Sequence, residues 1–563
     1  MTTTRPMQAQ ALPPDTPFAC GAPRFAAPAT DALAAWRQAH AARGPACAAD
    51  VGGEFAVALD LPGNATYLAV DRFAVHSVCY AVRDGRLHYA TRADVLARRL
   101  GITEIDPQAV FDYLFHHCIP SPRTIYTGIL RLPPAHYALF ENGRLSVAPY
   151  WTPRFDEQPR PDFDALRDEF RSILRSAVRD RLSADGRTAC FLSGGTDSST
   201  VCGLLGEATG KAPAGYSIGF EAEGYDEMAY ARIAAKAYGA EHHEYYVTPA
   251  DLVAAIPDVA AHYDQPFGNS SAVPAFYCAR KAHDDGYTRL LAGDGGDELF
   301  GGNVRYAKER VFHVYSQIPS PLRAGVVDPL FANPVVGNIP LLKKGTSYIR
   351  QARVPMPDRM QSYNLLDRLG LADVLTPRFL AVVDTGAPRE HQRATWTAGP
   401  QDASLVNQML AFDWRYTLAE NDLPKVVGTT GLAGIDVSFP LLDTRLLDFS
   451  LKLPTSYKLR GLKLRWFFKE ALRGLLPDEI LTKKKHGFGL PFGPWAVKDA
   501  ALNALAAESL RSVAARGIVR AEFVDSLLNH RLKEHAGYYG EMVWILMMLE
   551  QWLRRHAPDY RLG

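Results

Sequence analysis

No window of the 563-residue sequence approaches the about 18 consecutive apolar residues that a membrane-spanning helix requires, so no membrane span is expected. The opening MTTTRPMQAQALPPD holds no apolar run, and no secretory leader is read there. The seven cysteines (Cys20, Cys47, Cys79, Cys118, Cys190, Cys202, Cys278) form no CxxC and show no paired spacing. That argues against a disulfide framework and fits buried thiols in a reducing, cytoplasmic setting. Neither sign of charge dominates: Lys plus Arg is 62 and Asp plus Glu is 61. Without a global field, neither nucleic acid nor an anionic membrane is an expected partner. GxxxxGK[ST] is absent, so any phosphate loop here is not of the Walker type. No internal repeat is visible.

What remains is ordinary globular composition, 47% hydrophobic and 22% charged, with length for roughly two to four domains. Residues 1 to about 50 are rich in Ala, Pro and Thr and read as irregular, apart from one short helix over Ala32 to Ala42. GEFAVALD (from Gly53), ATYLAVDR and RLHYATR then read as strands separated by turn signals such as Pro62-Gly63-Asn64 and Asp84-Gly85. Near Pro159 to Asp162 the texture changes. Leu166, Phe170, Ile173, Leu174, Val178 and Leu182 recur at helical spacing, and the strands TACFL, AGYSIGF, EHHEYYV and TRLLAG then alternate with helices. Alternation of that kind means a parallel sheet with crossover connections. From Arg305 onward the pattern is mainly helical. The fold class read from this is α/β: a β-rich domain over residues 1–155, then a parallel-sheet domain with a helical C-terminal part over residues 160–563.

Two loops carry the chemistry. In FLSGGTDSSTV an apolar strand runs straight into Ser193-Gly194-Gly195, and Asp197, Ser198 and Ser199 open a helix. Glycines let the backbone approach an anion, and the free amides of a helix start point at it. Asp197 cannot attract phosphate by charge, but it makes sense as a Mg²⁺ ligand. A polar turn that merely caps a helix is the alternative. In AGDGGDELFGG, Asp294, Asp297 and Glu298 crowd among five glycines, again after a buried strand. Acids gathered at a strand's carboxyl end call for a cation or for proton chemistry. Both loops are expected at the same sheet edge, where Asp197 and Asp297 would share Mg²⁺ on a triphosphate; a solvated acidic turn is the alternative. A third segment, LTKKKHGFGLPFGPW, offers Lys483, Lys484 and Lys485. A Lys there could reach a departing pyrophosphate, although a Lys triplet is more often solvated surface.

Together these segments resemble the asparagine synthetase superfamily. SGGTDSS is similar to its ATP-pyrophosphatase loop, and GYSIGF, YDEMAYA, QPFGNSSA, GDGGDELFGG, FPLLDTRLLDFSLKLPTSYKLRG and KKKHGFGLPFGPW follow in the family's order. The likeness covers roughly Gly53 to Trp495. It implies an α/β fold with an N-terminal Ntn-type domain, and an enzyme that adenylates a carboxylate with ATP and Mg²⁺ and passes the acyl group to ammonia or an amine. Carried over by resemblance, Ser193, Gly194, Gly195, Asp197, Ser198 and Ser199 hold pyrophosphate, with Gly293 beside the nucleotide and Ile218 near adenine. Asp197 and Asp297 bind Mg²⁺. Lys485 offsets charge on the leaving pyrophosphate, and Asp294 takes the proton of the incoming amine. A homodimer is one oligomeric state the likeness allows.

Two departures qualify it. Asp422 to Asp443 aligns with LxKVDRxSMAxxLExRVPFLD, where Lys425 and Val426 remain. Val427 and Gly428 replace an acid and a base, and Asp436 and Ser438 stand at later Glu and Arg positions. That loss of charge argues against aspartate as the acceptor. Glutamine-using members carry a catalytic Cys after the initiator Met; here position 2 is Thr2, the nearest cysteine is Cys20, and the NGE and RGPDG segments are missing. The first domain is therefore expected to be a Cys-less, degenerate glutaminase relic. The expectation is an AMP-forming amide ligase without glutaminase activity. A lasso-peptide-type macrolactam cyclase or other specialised-metabolite amide synthetase, asparagine synthetase proper, and an inactive scaffold stand as alternatives. A sulfur-transfer or tRNA-modifying enzyme on the same loop would want a reactive Cys pair or a basic RNA face, and neither is visible.

Overall fold

The computed structural model describes residues 15–27, 31–159, 161–323, 325, 329, 348–483 and 489–562. Its N-terminal part is built on two antiparallel sheets. Strands β1 (Phe18–Arg24), β2 (Gly52–Leu61), β3 (Ala65–Val70), β4 (Cys79–Arg83), β5 (Arg86–Ala90), β6 (Leu130–Arg131), β7 (His136–Glu141) and β8 (Arg144–Pro149) pair as β1-β2-β3-β7-β8 and β5-β4-β6. Alternation along β2 explains why both its faces are covered. Ala56 and Ala58 join Leu68, Tyr80, Leu87 and Phe140 in a core between the sheets. Phe55, Val57 and Leu59 point the other way, against Trp36 of helix α1 (Ala32–Arg43) and Cys47.

Strand β1 corrects the reading of residues 1 to about 50 as irregular. FACGAPR pairs residue for residue with β2, from Phe18↔Ala58 to Arg24↔Gly52. Gly and Pro are poor strand formers alone, so this strand exists through its partner. The sheet part also holds two helices the sequence reading did not separate out, α2 (Ala93–Leu100) and α3 (Pro107–His116).

Helix α4 (Phe163–Arg179) opens the second part. The Asp162 carboxylate caps it by accepting from the amides of Asp164 and Ala165, and it buries Leu166, Phe170, Leu174 and Val178. Then come β9 (Thr188–Phe191), α5 (Thr196–Thr209), β10 (Ala214–Phe220), α6 (Met228–Tyr238), β11 (Glu241–Val247), α7 (Pro249–His262), α8 (Ala272–Asp284), β12 (Arg289–Leu291) and the short helix α9 (Gly296–Phe300). A last strand, β13 (Asp436–Ser438), completes a five-stranded parallel sheet ordered β11-β10-β9-β12-β13. The chain moves outward from β9 in one direction and from β12 in the other. The point between β9 and β12 is thus a topological switch point, where open parallel sheets leave a crevice beyond the strands' carboxyl ends. Both chemistry-bearing loops leave from these two adjacent strands.

Buried ion pairs join the two parts. Glu54 on β2 accepts from Arg181 Nε (3.1 Å) and from the Phe439 amide (3.1 Å), while Arg181 also reaches Asp443 at 2.8 Å. At a second seam, Glu420 accepts from the Ser121 amide and hydroxyl (3.1 and 2.7 Å) and pairs with Arg131 (2.5 Å) and Arg415. Glu420 lies in a π-helical stretch, Trp414–Asp422. Such stretches recur beside functional sites, and this one runs directly into helix Leu423–Ala433 at the cavity described next. Among the described residues no helix is long and apolar enough to cross a membrane.

Candidate functional site

A cavity of about 810 Å³ opens at the switch point. The first loop supplies Ser193, Gly195, Asp197 and Ser198 to its wall, and the second supplies Gly293, Asp294, Asp297 and Glu298. Ile218 lines the side formed by β10 and α8, with Ser271, Pro274 and Cys278. Asp422, Lys425 and Val426, and Leu462 to Trp466, complete the lining.

The first loop is held open by its own hydrogen bonds. The Ser193 amide donates to Ser198 Oγ at 3.1 Å and the Gly195 amide to Ser193 Oγ at 3.3 Å. Gly195 caps α5 without a side chain, so the first amides of the helix face the cavity unshielded. Gly194 has φ +68°, and a Cβ there would lie 2.3 Å from the Tyr230 carbonyl carbon, so only glycine lets α6 pack behind the loop. Gly194 and Ser199 are not on the cavity wall. Ser199 is fully buried and its hydroxyl has no hydrogen-bond partner. The Ser199 amide donates to the Gly195 carbonyl at 3.0 Å, closing the first turn of α5.

The two loops meet through Arg465. Its Nη1 donates to Asp197 Oδ2 (2.7 Å) and Asp297 Oδ1 (2.6 Å), and its Nη2 to Asp197 Oδ1. The guanidinium also stacks on Phe468, 4.1 Å from the ring centroid. Burial opposes its charge, but Asp197 and Asp297 outweigh that and raise its pKa. Glycine makes room for this cluster: a Cβ on Gly302 would fall 1.7 Å from Asp297 Oδ1, and one on Gly296 2.1 Å from Asp197 Oδ1. The two convergent carboxylates are oxygen donors of the kind a hard cation such as Mg²⁺ takes together with phosphate oxygens. Among the described residues no group of three or more His, Cys, Asp or Glu side chains is arranged to hold a metal alone.

Asp294, on the second loop, meets Lys425. Lys425 Nζ lies 3.5 Å from Asp294 Oδ1 and 3.3 Å from Asp422 Oδ1. Burial lifts the Asp294 carboxyl above the usual carboxylate range, opposed by Lys425. Burial also opposes the charge on Lys425, but Asp422 and Asp294 overcome it and raise its pKa. Glu298, buried beside Asp297, is pushed well above its ordinary value, first by burial. The substituted wall has a packing explanation: a Cβ on Gly428 would meet the Tyr263 ring at 2.4 Å, so glycine admits this aromatic, whose hydroxyl donates to the Lys425 carbonyl at 3.2 Å.

Lys484 and Lys485 lie outside the described residues, as does Thr2. Lys483 is described and is not solvated surface. Its side chain is 8% exposed, it pairs with Glu227 at 3.2 Å, and its ammonium sits 4.3 Å from the Tyr230 ring centroid. Sequence reasoning missed Arg465, Lys425's contact with Asp294, and Lys469. Lys469 lines the cavity one helical turn beyond Arg465, and its side chain makes no hydrogen bond or ion pair among the described residues. Cys20 lies within β1, where its thiol donates to the Ala56 carbonyl at 3.5 Å and burial raises its pKa to about 11.

A parallel sheet with a non-Walker anion loop and an acidic loop at its switch point, preceded by an Ntn-type antiparallel layer, defines the class: an ATP-dependent ligase. The Asparagine synthase family model matches residues 169–554, and a Glutamine amidotransferase domain model matches residues 32–151. The chain belongs to the asparagine synthase family and is an amide ligase of that kind. It is similar to "Asparagine synthetase [glutamine-hydrolyzing] 1" of Bacillus subtilis (strain 168), 22% identical over 503 residues, which are 88% of this chain and 76% of that one. It is also similar to a "Putative asparagine synthetase [glutamine-hydrolyzing]" of Mycobacterium tuberculosis (strain ATCC 25618 / H37Rv), 27% identical over 79% of this chain and 68% of that one. A second putative asparagine synthetase, of Methanocaldococcus jannaschii, is 34% identical over 221 residues, 39% of this chain and 42% of that one.

Proposed function

We propose that this chain adenylates a carboxylate at the expense of ATP, releases pyrophosphate, and passes the acyl group to ammonia or an amine with loss of AMP, without hydrolysing glutamine. The observation that carries the reading is the meeting of Asp197 and Asp297 on one guanidinium at the switch point. A triphosphate in the cavity would rest on the amides after Gly195, with Ser193 and Ser198 as hydroxyl donors and the nucleoside toward Ile218 and Gly293. Asp197 and Asp297 would hold Mg²⁺, which supplies charge neutralisation on the phosphates. Lys485 is taken as the cation for the leaving pyrophosphate. Asp294, with a pKa raised by burial, is suited to accept the amine's proton as the nitrogen attacks. Lys425 keeps it oriented.

Residues 1–155 and 160–563 are taken as two domains, the first structural. In support, Cys20 has a half-buried, hydrogen-bonded thiol with a raised pKa in mid-strand, a poor nucleophile. The first part also braces the acceptor side through Ser121 and Arg131 on Glu420. The acceptor side favours a substrate other than free aspartate, because Val427 and Gly428 stand where relatives carry an acid and a base, and Gly428 is packed against the Tyr263 ring. The same observation supports a specialised-metabolite amide synthetase, including one that closes a macrolactam, as the second reading. The test is product analysis with a panel of carboxylates and with ammonium, simple amines or glutamine as nitrogen source. AMP and pyrophosphate with ammonium or an amine support the proposal. ADP and phosphate, or glutamate released from glutamine, refute it.

A further inference from the structure

Arg465 occupies the place where the proposed function puts a metal. It is 5% exposed, sits 268 residues from one acid and 168 from the other, and joins them with three hydrogen bonds. Two further observations bear on what it does. Its Nε–H is buried and has no hydrogen-bond partner, although Arg465 lines the cavity. A buried donor of that kind calls for an acceptor that a ligand would bring. Its backbone has φ +54°, the left-handed region, and it stands between the two-residue hairpin strands β14 (Leu459–Arg460) and β15 (Lys463–Leu464) and the six-residue helix Trp466–Ala471. A non-glycine residue in that region is held there by its surroundings at some cost.

We propose that Arg465 is a resident counter-cation: it holds the Asp197–Asp297 pair against free divalent cations, and it turns to a phosphate oxygen when a nucleoside triphosphate enters. The charges require something of this kind. Two carboxylates converging in a partly desolvated cleft repel each other unless a cation lies between them, and the guanidinium lies between them here. A triphosphate gives Arg465 a planar-fork acceptor of higher charge and gives the buried Nε–H its missing partner. The carboxylates then become available to a metal that arrives with the nucleotide. Metal binding is thus conditional on nucleotide. The inference rests on the proposed assignment of Asp197 and Asp297 as metal ligands.

The test uses the full-length chain and Mn²⁺ as probe, with free Mn²⁺ read by electron paramagnetic resonance. Wild type is expected to bind no stoichiometric Mn²⁺ alone and to bind it when a non-hydrolysable ATP analogue is added. Arg465→Met is expected to bind one Mn²⁺ per chain without nucleotide, at least tenfold tighter than wild type, and Arg465→Met/Asp197→Asn to lose it. Because Arg465→Met takes a buried cation away from two acids and could unsettle the fold, Arg465→Lys is measured in parallel. It keeps a charge but cannot fork to both carboxylates, and it too should bind Mn²⁺ alone more tightly than wild type. Equal Mn²⁺ affinity without nucleotide in wild type and in whichever variant folds overturns the inference while leaving the metal assignment intact. Absence of Mn²⁺ binding to wild type even with the analogue removes the metal assignment and the inference with it.

Discussion

Replacing Asp294 with Asn separates the two half-reactions. The carboxylate is 3.5 Å from the Lys425 ammonium, an attraction of about 5 kcal/mol at an effective dielectric of about 20. Burial works against it and leaves the carboxyl pKa above its ordinary value. The group is therefore more basic than a solvent-exposed Asp, which suits it to accept a proton from an attacking amine. Asn has the same shape and can still hydrogen-bond, but it has no basicity. Lys425 keeps its contact with Asp422 at 3.3 Å, so the local structure should persist. Amide formation is expected to fall by about 10²–10⁴-fold, the range for loss of a general base, while carboxylate-dependent ATP–pyrophosphate exchange stays near wild type. Both are measured on one preparation, exchange with labelled pyrophosphate and amide by mass spectrometry. Equal losses would show that Asp294 serves nucleotide binding or adenylation, and the division of labour would fall.

Lys425→Met should move the acid limb of the pH–rate profile for amide formation to higher pH. The cation lowers the Asp294 pKa, its removal lets that pKa rise, and the base is ionised only above it; an unmoved limb would disconnect the pair. Arg131→Ala should destabilise the chain by about 3 kcal/mol in urea titration, because it leaves the buried Glu420 carboxylate with Arg415 as its remaining cation. A loss under about 1 kcal/mol would mean the seam does not hold the two parts together. Cys20→Ala should leave ligase turnover unchanged, since the thiol is half-buried in β1 and off the cavity wall; a large loss would give the first part a chemical role.

Strands β9 and β12 were legible because each is a short apolar run closed by a glycine-rich turn, β10 because it is a short apolar run between helices, and their parallel order follows from the helices between them. The convergence of Asp197 and Asp297 follows from that order, since β9 and β12 are neighbours. Strand β1 was not legible: FACGAPR has no strand preference of its own and is fixed by β2. Arg465 carried no local signal either, because its role depends on two acids far along the chain. Lys483 looked like solvated charge and is instead stacked on Tyr230 over Glu227, a contact made by α6.

The central claim is that the cleft between β9 and β12 activates a carboxylate with ATP through Asp197 and Asp297. Its most direct measurement is ATP–pyrophosphate exchange, stimulated by a carboxylate substrate, in wild type, Asp197→Asn and Asp297→Asn at saturating Mg²⁺. Each variant removes one anionic oxygen ligand from a cation that must offset triphosphate charge. The account predicts carboxylate-dependent exchange in the wild type and its loss in both folded variants. Undiminished exchange in both variants would contradict it.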